Sequence, residues 1–74
     1  MNSKRRYVIC VKNDNYEADL ALRKVYPVVP DAKGEALGFL RIMDESGEDY
    51  LYPQSYFLPI ALPKTIQRAL AKAS

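Results

Sequence analysis

The stretch Leu37-Gly38-Phe39-Leu40-Arg41-Ile42-Met43-Asp44-Glu45-Ser46-Gly47-Glu48-Asp49-Tyr50-Leu51-Tyr52 decides the fold. Its first part alternates as an extended chain does: Leu37, Phe39 and Met43 fall on one face, Leu40 and Ile42 on the other. Asp44-Glu45-Ser46-Gly47 interrupts the pattern with turn-forming residues, and Gly47 accepts a positive φ without a steric penalty. Glu48 to Tyr52 then returns as the partner strand. This is the clearest hairpin in the chain.

Working back towards the N-terminus, Asp31 to Glu35 reads as a polar connection. Val25-Tyr26-Pro27-Val28-Val29-Pro30 reads as a strand, and Pro27, lacking an N–H, implies an edge or a bulge there. Tyr16 to Lys24 holds at most two helical turns, too few for an isolated helix, and is predicted to be an ordered loop anchored by Leu20 and Leu22. Tyr7 to Val11 is rich in β-branched and aromatic residues and stops at Asn13-Asp14-Asn15, so it reads as the first strand.

Downstream of the hairpin, Pro53 to Tyr56 predicts a tight turn. Phe57-Leu58-Pro59-Ile60 is a short closing strand, with Pro59 again pointing to an edge. From Pro63 on, Ile66, Ala69, Leu70 and Ala73 recur at helical spacing, which predicts an amphipathic helix too short to hold unaided. The predicted fold is therefore mainly β: a small antiparallel barrel of four to five strands over residues 1–62, with a short C-terminal α-helix, residues 63–74, packed on the same domain.

A chain of 74 residues with 49% apolar and 27% charged residues has the composition of one compact globular core. The single Cys10 forms no internal disulfide, which fits a reducing cytoplasm. No stretch approaches the roughly 20 apolar residues of a membrane span, and the apolar run after the basic start is too short for an export segment. Net charge is only +2, but it is unevenly spread. Lys4, Arg5, Arg6 and Lys12 make the start basic, and Lys64, Arg68 and Lys72 the end. Asp14, Glu17 and Asp19 form one acidic cluster, and Asp44, Glu45, Glu48 and Asp49 another.

Catalytic, metal and cofactor chemistry find no foothold. The chain has no histidine and only three scattered glycines, so the usual neutral-pH base, the usual zinc ligand and a phosphate loop are all missing. The carboxylates between Asp44 and Asp49 lack the regular spacing of a calcium loop and read as a solvated hairpin end. Cys10, in mid-strand among apolar residues, reads as an inert core thiol. Tyr7, Tyr26 and Tyr50 are expected in the core with their hydroxyls near solvent, while Tyr16, Tyr52 and Tyr56, beside predicted loops, fit core and surface equally.

From Val25 onward the order of elements resembles a Src-homology-3 domain, and Leu51-Tyr52-Pro53-Gln54-Ser55-Tyr56-Phe57 is similar to that family's closing segment: an apolar pair, a proline, two variable residues, a tyrosine and an apolar residue. The resemblance spans roughly residues 7 to 60. It implies a small barrel and a protein-binding, non-catalytic role. Pro53 and Tyr56 would line a groove for an extended segment of a partner, Glu17 and Asp19 would meet a basic ligand residue, and Tyr16 would flank them. A polyproline II segment loses little entropy in such a groove because it is extended beforehand. The chain departs from the family in having no tryptophan, which the family places in this groove, and in lacking the aromatic motif at the end of the first strand.

The alternative is a nucleic-acid-binding barrel. Arg5 and Arg6 beside Tyr7, with Lys64, Arg68 and Lys72 on the tail helix, would supply a phosphate-binding stripe. A third reading has no independent ligand, the tail helix mediating dimerisation or assembly into a larger complex; by itself the chain is expected to be a monomer or a weak homodimer. None of these readings involves a membrane.

Overall fold

The computed structural model describes residues 6–73, and side chains through residue 70. Five strands form one antiparallel sheet: β1 (Arg6–Cys10), β2 (Val25–Val29), β3 (Phe39–Met43), β4 (Asp49–Pro53) and β5 (Phe57–Ile60), in the spatial order β4-β3-β2-β1-β5. Two helices accompany them, α1 (Ala32–Ala36) and α2 (Lys64–Ala73), and a single 3₁₀ turn, Gln54–Tyr56, joins β4 to β5. The sheet is not closed, so β4 and β5 are both edges.

The deciding hairpin forms as expected, its register running from Phe39 opposite Pro53 to Met43 opposite Asp49, with Gly47 at φ +86° in the turn. Its inward face is the one carrying Leu40 and Ile42: Ile42 is fully buried, while Leu37, Phe39 and Met43 face solvent. The other strands obey the same alternation. Val8 and Cys10 from β1, Tyr26 and Val28 from β2, Tyr52 from β4 and Phe57 from β5 meet Ile42 in one core. Leu20 reaches the core from the β1–β2 loop, 1% exposed. Burying such a side chain contributes about 1.5–3 kcal/mol, so one leucine anchors the whole loop. Leu22, predicted as a second anchor, is instead half exposed: the turn at Leu22 and Arg23, where Arg23 takes φ +65°, carries it away from the core.

The hydrogen-bond alternation explains both strand prolines. Cys10 N–H donates to the Lys24 carbonyl and Val11 N–H to the Tyr56 carbonyl, so even residues of β1 face β2 and odd ones face β5. On β5 this turns Leu58 and Ile60 towards β1 and aims the position of Pro59 outward, where a missing N–H breaks no ladder bond. On β2 it turns Pro27 towards β3. The expectation of an edge there is corrected, because β2 lies between β1 and β3. The ladder to β3 pairs only Val28 and Val29, and stops at the proline.

The connection Asp31 to Glu35 is not a plain loop but the first turns of α1. Asp31 caps it, its carboxylate accepting from Gly34 N–H at 2.9 Å, and it also accepts from Arg41 Nε at 2.9 Å. The Gly34 amide first, and then Arg41, hold the Asp31 carboxyl below the ordinary carboxylate range. The helix packs close to β4: a Cβ at Gly34 would stand 2.7 Å from Leu51 Cδ2. A second tie runs from Glu35 to Arg6 at 2.6 Å.

The acidic hairpin end also differs from its expected solvated form. Asp44 is buried and accepts hydrogen bonds from the Ser46 amide, the Ser46 hydroxyl and the Tyr52 hydroxyl. Burial by itself raises its pKa, but these donors outweigh burial and hold the carboxyl below its usual range. Of the three tyrosines expected in the core, Tyr7 and Tyr26 are buried, whereas Tyr50 is 51% exposed and donates to Glu48. Tyr50 shares the inward face of the hairpin, but it stands on the edge strand with no neighbour to cover it. In α2, Ile66 and Leu70 remain exposed.

Candidate functional site

The β1–β2 loop is long and polar, yet it is held firmly. Asn13 accepts from Tyr16 N–H through its carbonyl at 2.8 Å, and its side-chain amide donates to the Leu20 carbonyl at 2.9 Å. The Tyr26 hydroxyl accepts from Ala21 N–H and donates to Glu45, both at 2.7 Å, and Glu45 N–H donates to the Asp19 carbonyl at 3.1 Å. Lys24 adds an ion pair to Glu45 at 2.6 Å. Burial first, and then the Glu45 bond, push the Tyr26 hydroxyl up to about 12. The Lys24 and Tyr26 donors hold Glu45 below its ordinary range. The loop is thus bolted to the turn of the β3–β4 hairpin.

That attachment places Tyr16 beside the 3₁₀ turn. Its ring stands edge-on to Tyr52 at 4.9 Å between centroids and to Tyr56 at 6.0 Å. Tyr56 donates its hydroxyl to the Asp14 carbonyl at 3.1 Å, and Lys12 Nζ lies over its ring at 5.6 Å. The turn exists here because Pro53 ends β4 at φ −58° and its strand partner Phe39 sits at the start of β3, leaving Gln54 to Tyr56 to coil back towards β5.

The five predicted partner-binding residues are therefore partly gathered. Tyr16 and Tyr56 touch. Asp19, half-buried, joins Tyr16, Glu48, Tyr50, Leu51 and Tyr52 around a surface depression of about 310 Å³. Glu17 is exposed and Pro53 half-buried, and neither lines that depression. Tyr52, for which core and surface seemed equal from sequence, is a core residue at 2% exposure whose edge supports Tyr16. From sequence, Glu48 was expected only as a solvated hairpin-end carboxylate and Tyr50 in the core, and neither they nor Leu51 were expected at this depression. The available signal was their position on or just before β4, an edge strand, whose outer backbone groups and less covered side chains lie open to a ligand.

The predicted phosphate-binding residues are more scattered. Arg5 lies outside the described residues, and so does the side chain of Lys72. Arg6 is engaged by Glu35. Lys64 and Arg68 are exposed on α2. Near Arg6 lies a second concavity of about 550 Å³, lined chiefly by apolar side chains including Tyr7, Leu40, Phe57, Ile60 and Leu62. Among the described residues, no helix is long and apolar enough to cross a membrane.

No family model matches the chain, and neither a curated protein nor a solved structure gives a significant match.

Proposed function

We propose that this protein is a non-catalytic interaction module of the Src-homology-3-like small-barrel type, binding an extended segment of a partner protein. The fold reading is supported by the strand order β4-β3-β2-β1-β5 together with the 3₁₀ turn between β4 and β5. The observation that carries the binding reading is the contact of Tyr16 with Tyr56 over a loop held by Leu20 and Glu45, with Asp19 alongside. Aromatic rings on a fixed backbone give a ligand large contact area at small entropy cost. The carboxylates of Glu17, Asp19 and Glu48 around them favour a cationic ligand and disfavour a polyanion, while Asp14 is paired with Lys12. Arg6, needed for the nucleic-acid alternative, already spends its charge on Glu35.

The test is an array of extended peptides, rich in proline and in lysine or arginine, titrated against the wild type and against Tyr16→Ala and Tyr56→Ala. Binding that both substitutions weaken about tenfold or more, in variants that still melt cooperatively, supports the reading; the size follows from truncating an aromatic anchor. Binding indifferent to both, or oligonucleotide binding that falls steeply with salt, refutes it.

A further inference from the structure

The two edges of the open sheet are not equivalent. In β3–β4, Asp44 N–H donates to the Glu48 carbonyl and Gln54 N–H to the Gly38 carbonyl, which makes Ile42–Tyr50 and Leu40–Tyr52 the hydrogen-bonded pairs of the ladder. The N–H and C=O of Leu51 therefore point away from β3, and among the described residues β4 has no second strand neighbour. On the opposite edge, the outward position at mid-strand is Pro59, which has no N–H to offer. Proline on an outward edge position is a recognised guard against strand pairing; β4 carries one only at its end, Pro53 before the 3₁₀ turn, which leaves the outward amides of Asp49 and Leu51 in mid-strand.

We infer that β4 is the docking edge: a partner segment adds to it as a sixth strand, bonding to Leu51 N–H and C=O. This rests on the protein-binding reading and specifies its geometry. The added strand would alternate its side chains between two unlike faces. One face carries Leu51, 40% exposed, opposite Arg41 on β3 and with Phe39 diagonal to it; the other carries Tyr50, Tyr16 and the carboxylates of Asp19 and Glu48 at the depression. The matching segment alternates apolar and basic residues, with the basic ones over the tyrosines and carboxylates, where aromatic faces and negative charge both attract a cation.

The probe is an end-blocked octapeptide alternating valine and lysine, with an alternating valine and glutamate peptide as control. Amide hydrogen exchange is followed residue by residue. The peptide is expected to slow exchange of the Leu51 amide at least tenfold, leaving the Phe57 amide on β5, which already donates to the Gln54 carbonyl, unchanged, while the glutamate peptide does nothing. Leu51→Pro, which deletes the donor, abolishes binding, whereas Leu51→Ala, which keeps it, retains binding; thermal melts establish that both fold. Should Leu51→Pro fail to fold, protection of the wild-type Leu51 amide decides alone. Peptide bound without slowing at Leu51 overturns the strand-addition inference and leaves the aromatic surface standing. No binding of the lysine peptide while the array peptides bind also overturns it, and silence of both sets overturns the parent reading as well. Concentration-dependent protection of Leu51 without peptide assigns the edge to a second copy and overturns the partner assignment.

Discussion

Replacing Tyr52 by phenylalanine removes one oxygen from the interior and changes nothing else in shape. In the native protein that hydroxyl donates to Asp44, a buried carboxylate whose other donors are the amide and hydroxyl of Ser46. A hydrogen bond to a charged group contributes about 1.5–3 kcal/mol, and its loss leaves the carboxylate short of a partner in a site water barely reaches. Taking about 2 kcal/mol as the cost, and about 4–8 °C per kcal/mol for a domain of this size, Tyr52→Phe should melt about 8–16 °C below the wild type at pH 7. The pH dependence sharpens the test. The Asp44 carboxyl is depressed in the folded state, so its stabilisation is present above the unfolded carboxylate pKa and is lost as pH falls through the folded value. The melting difference between variant and wild type should therefore shrink on acidification through that range. Differential scanning calorimetry at several pH values measures both quantities. A Tyr52→Phe protein within about 0.5 kcal/mol of wild type at neutral pH, or with a gap that does not move with pH, refutes the reasoning.

The remaining predictions concern other parts of the fold. Leu20→Ala should cost about 2–5 kcal/mol by urea unfolding, because its side chain is enclosed in the core, whereas Leu22→Ala should stay within about 0.5 kcal/mol. The folded-state pKa of Tyr26 is raised to about 12, and that of Tyr52 is raised too, so their stabilisation is complete below pH 10 and drains away as pH climbs through the folded values; alkaline melts should show a steady decline over that window. Cys10 is fully buried and burial raises its pKa, so a chromogenic disulfide reagent should label it slowly in native buffer and fast in guanidinium; equal rates would contradict its burial. Because Ile66 and Leu70 are exposed, deleting residues 63–74 should lower the melting temperature by no more than a few degrees.

Strand positions were legible wherever alternation ran unbroken. Leu40 and Ile42 could be separated from the face of Leu37, Phe39 and Met43, and Pro59 assigned to an edge, from residue type and spacing alone, although which hairpin face turns inward was not legible. The failures share one cause: they depended on a neighbour distant in the chain. Leu20 and Leu22 share a residue type and a face pattern, and only the turn at Arg23 separates buried from exposed. Tyr50 and Tyr52 share a strand and a face, but only Tyr52 has Tyr16 and Phe57 against it. Asp44 looked like one more acid in a polar turn, since nothing local announces a tyrosine hydroxyl reaching it from the next strand. The helix α1 was missed for a different reason. Five residues with a central glycine have weak helix propensity, and the capping Asp31 after Pro30 was its one local signal. At the proposed interaction surface, the family resemblance pointed to Tyr16, Asp19 and Tyr56, whereas Glu48 and Leu51 acquire meaning there only once β4 is known to be an edge.

The pairing of β1 with β5 sets Tyr7 against Ile60. Of the four strand pairings, only β3–β4 joins neighbours through a tight turn; the first and last strands meet only after nearly the whole chain has been drawn into a ring. Closing so large a ring costs entropy before any contact rewards it, and such topologies fold in milliseconds to seconds. The β3–β4 hairpin is then the natural early structure, and the β1–β5 seam the late one. Stopped-flow refolding should show Ile42→Val slowing folding, while Val8→Ala chiefly hastens unfolding. The same ordering means that a nascent chain reaching only to Pro53 would hold its hairpin, yet still lack the strand that β1 needs at its side.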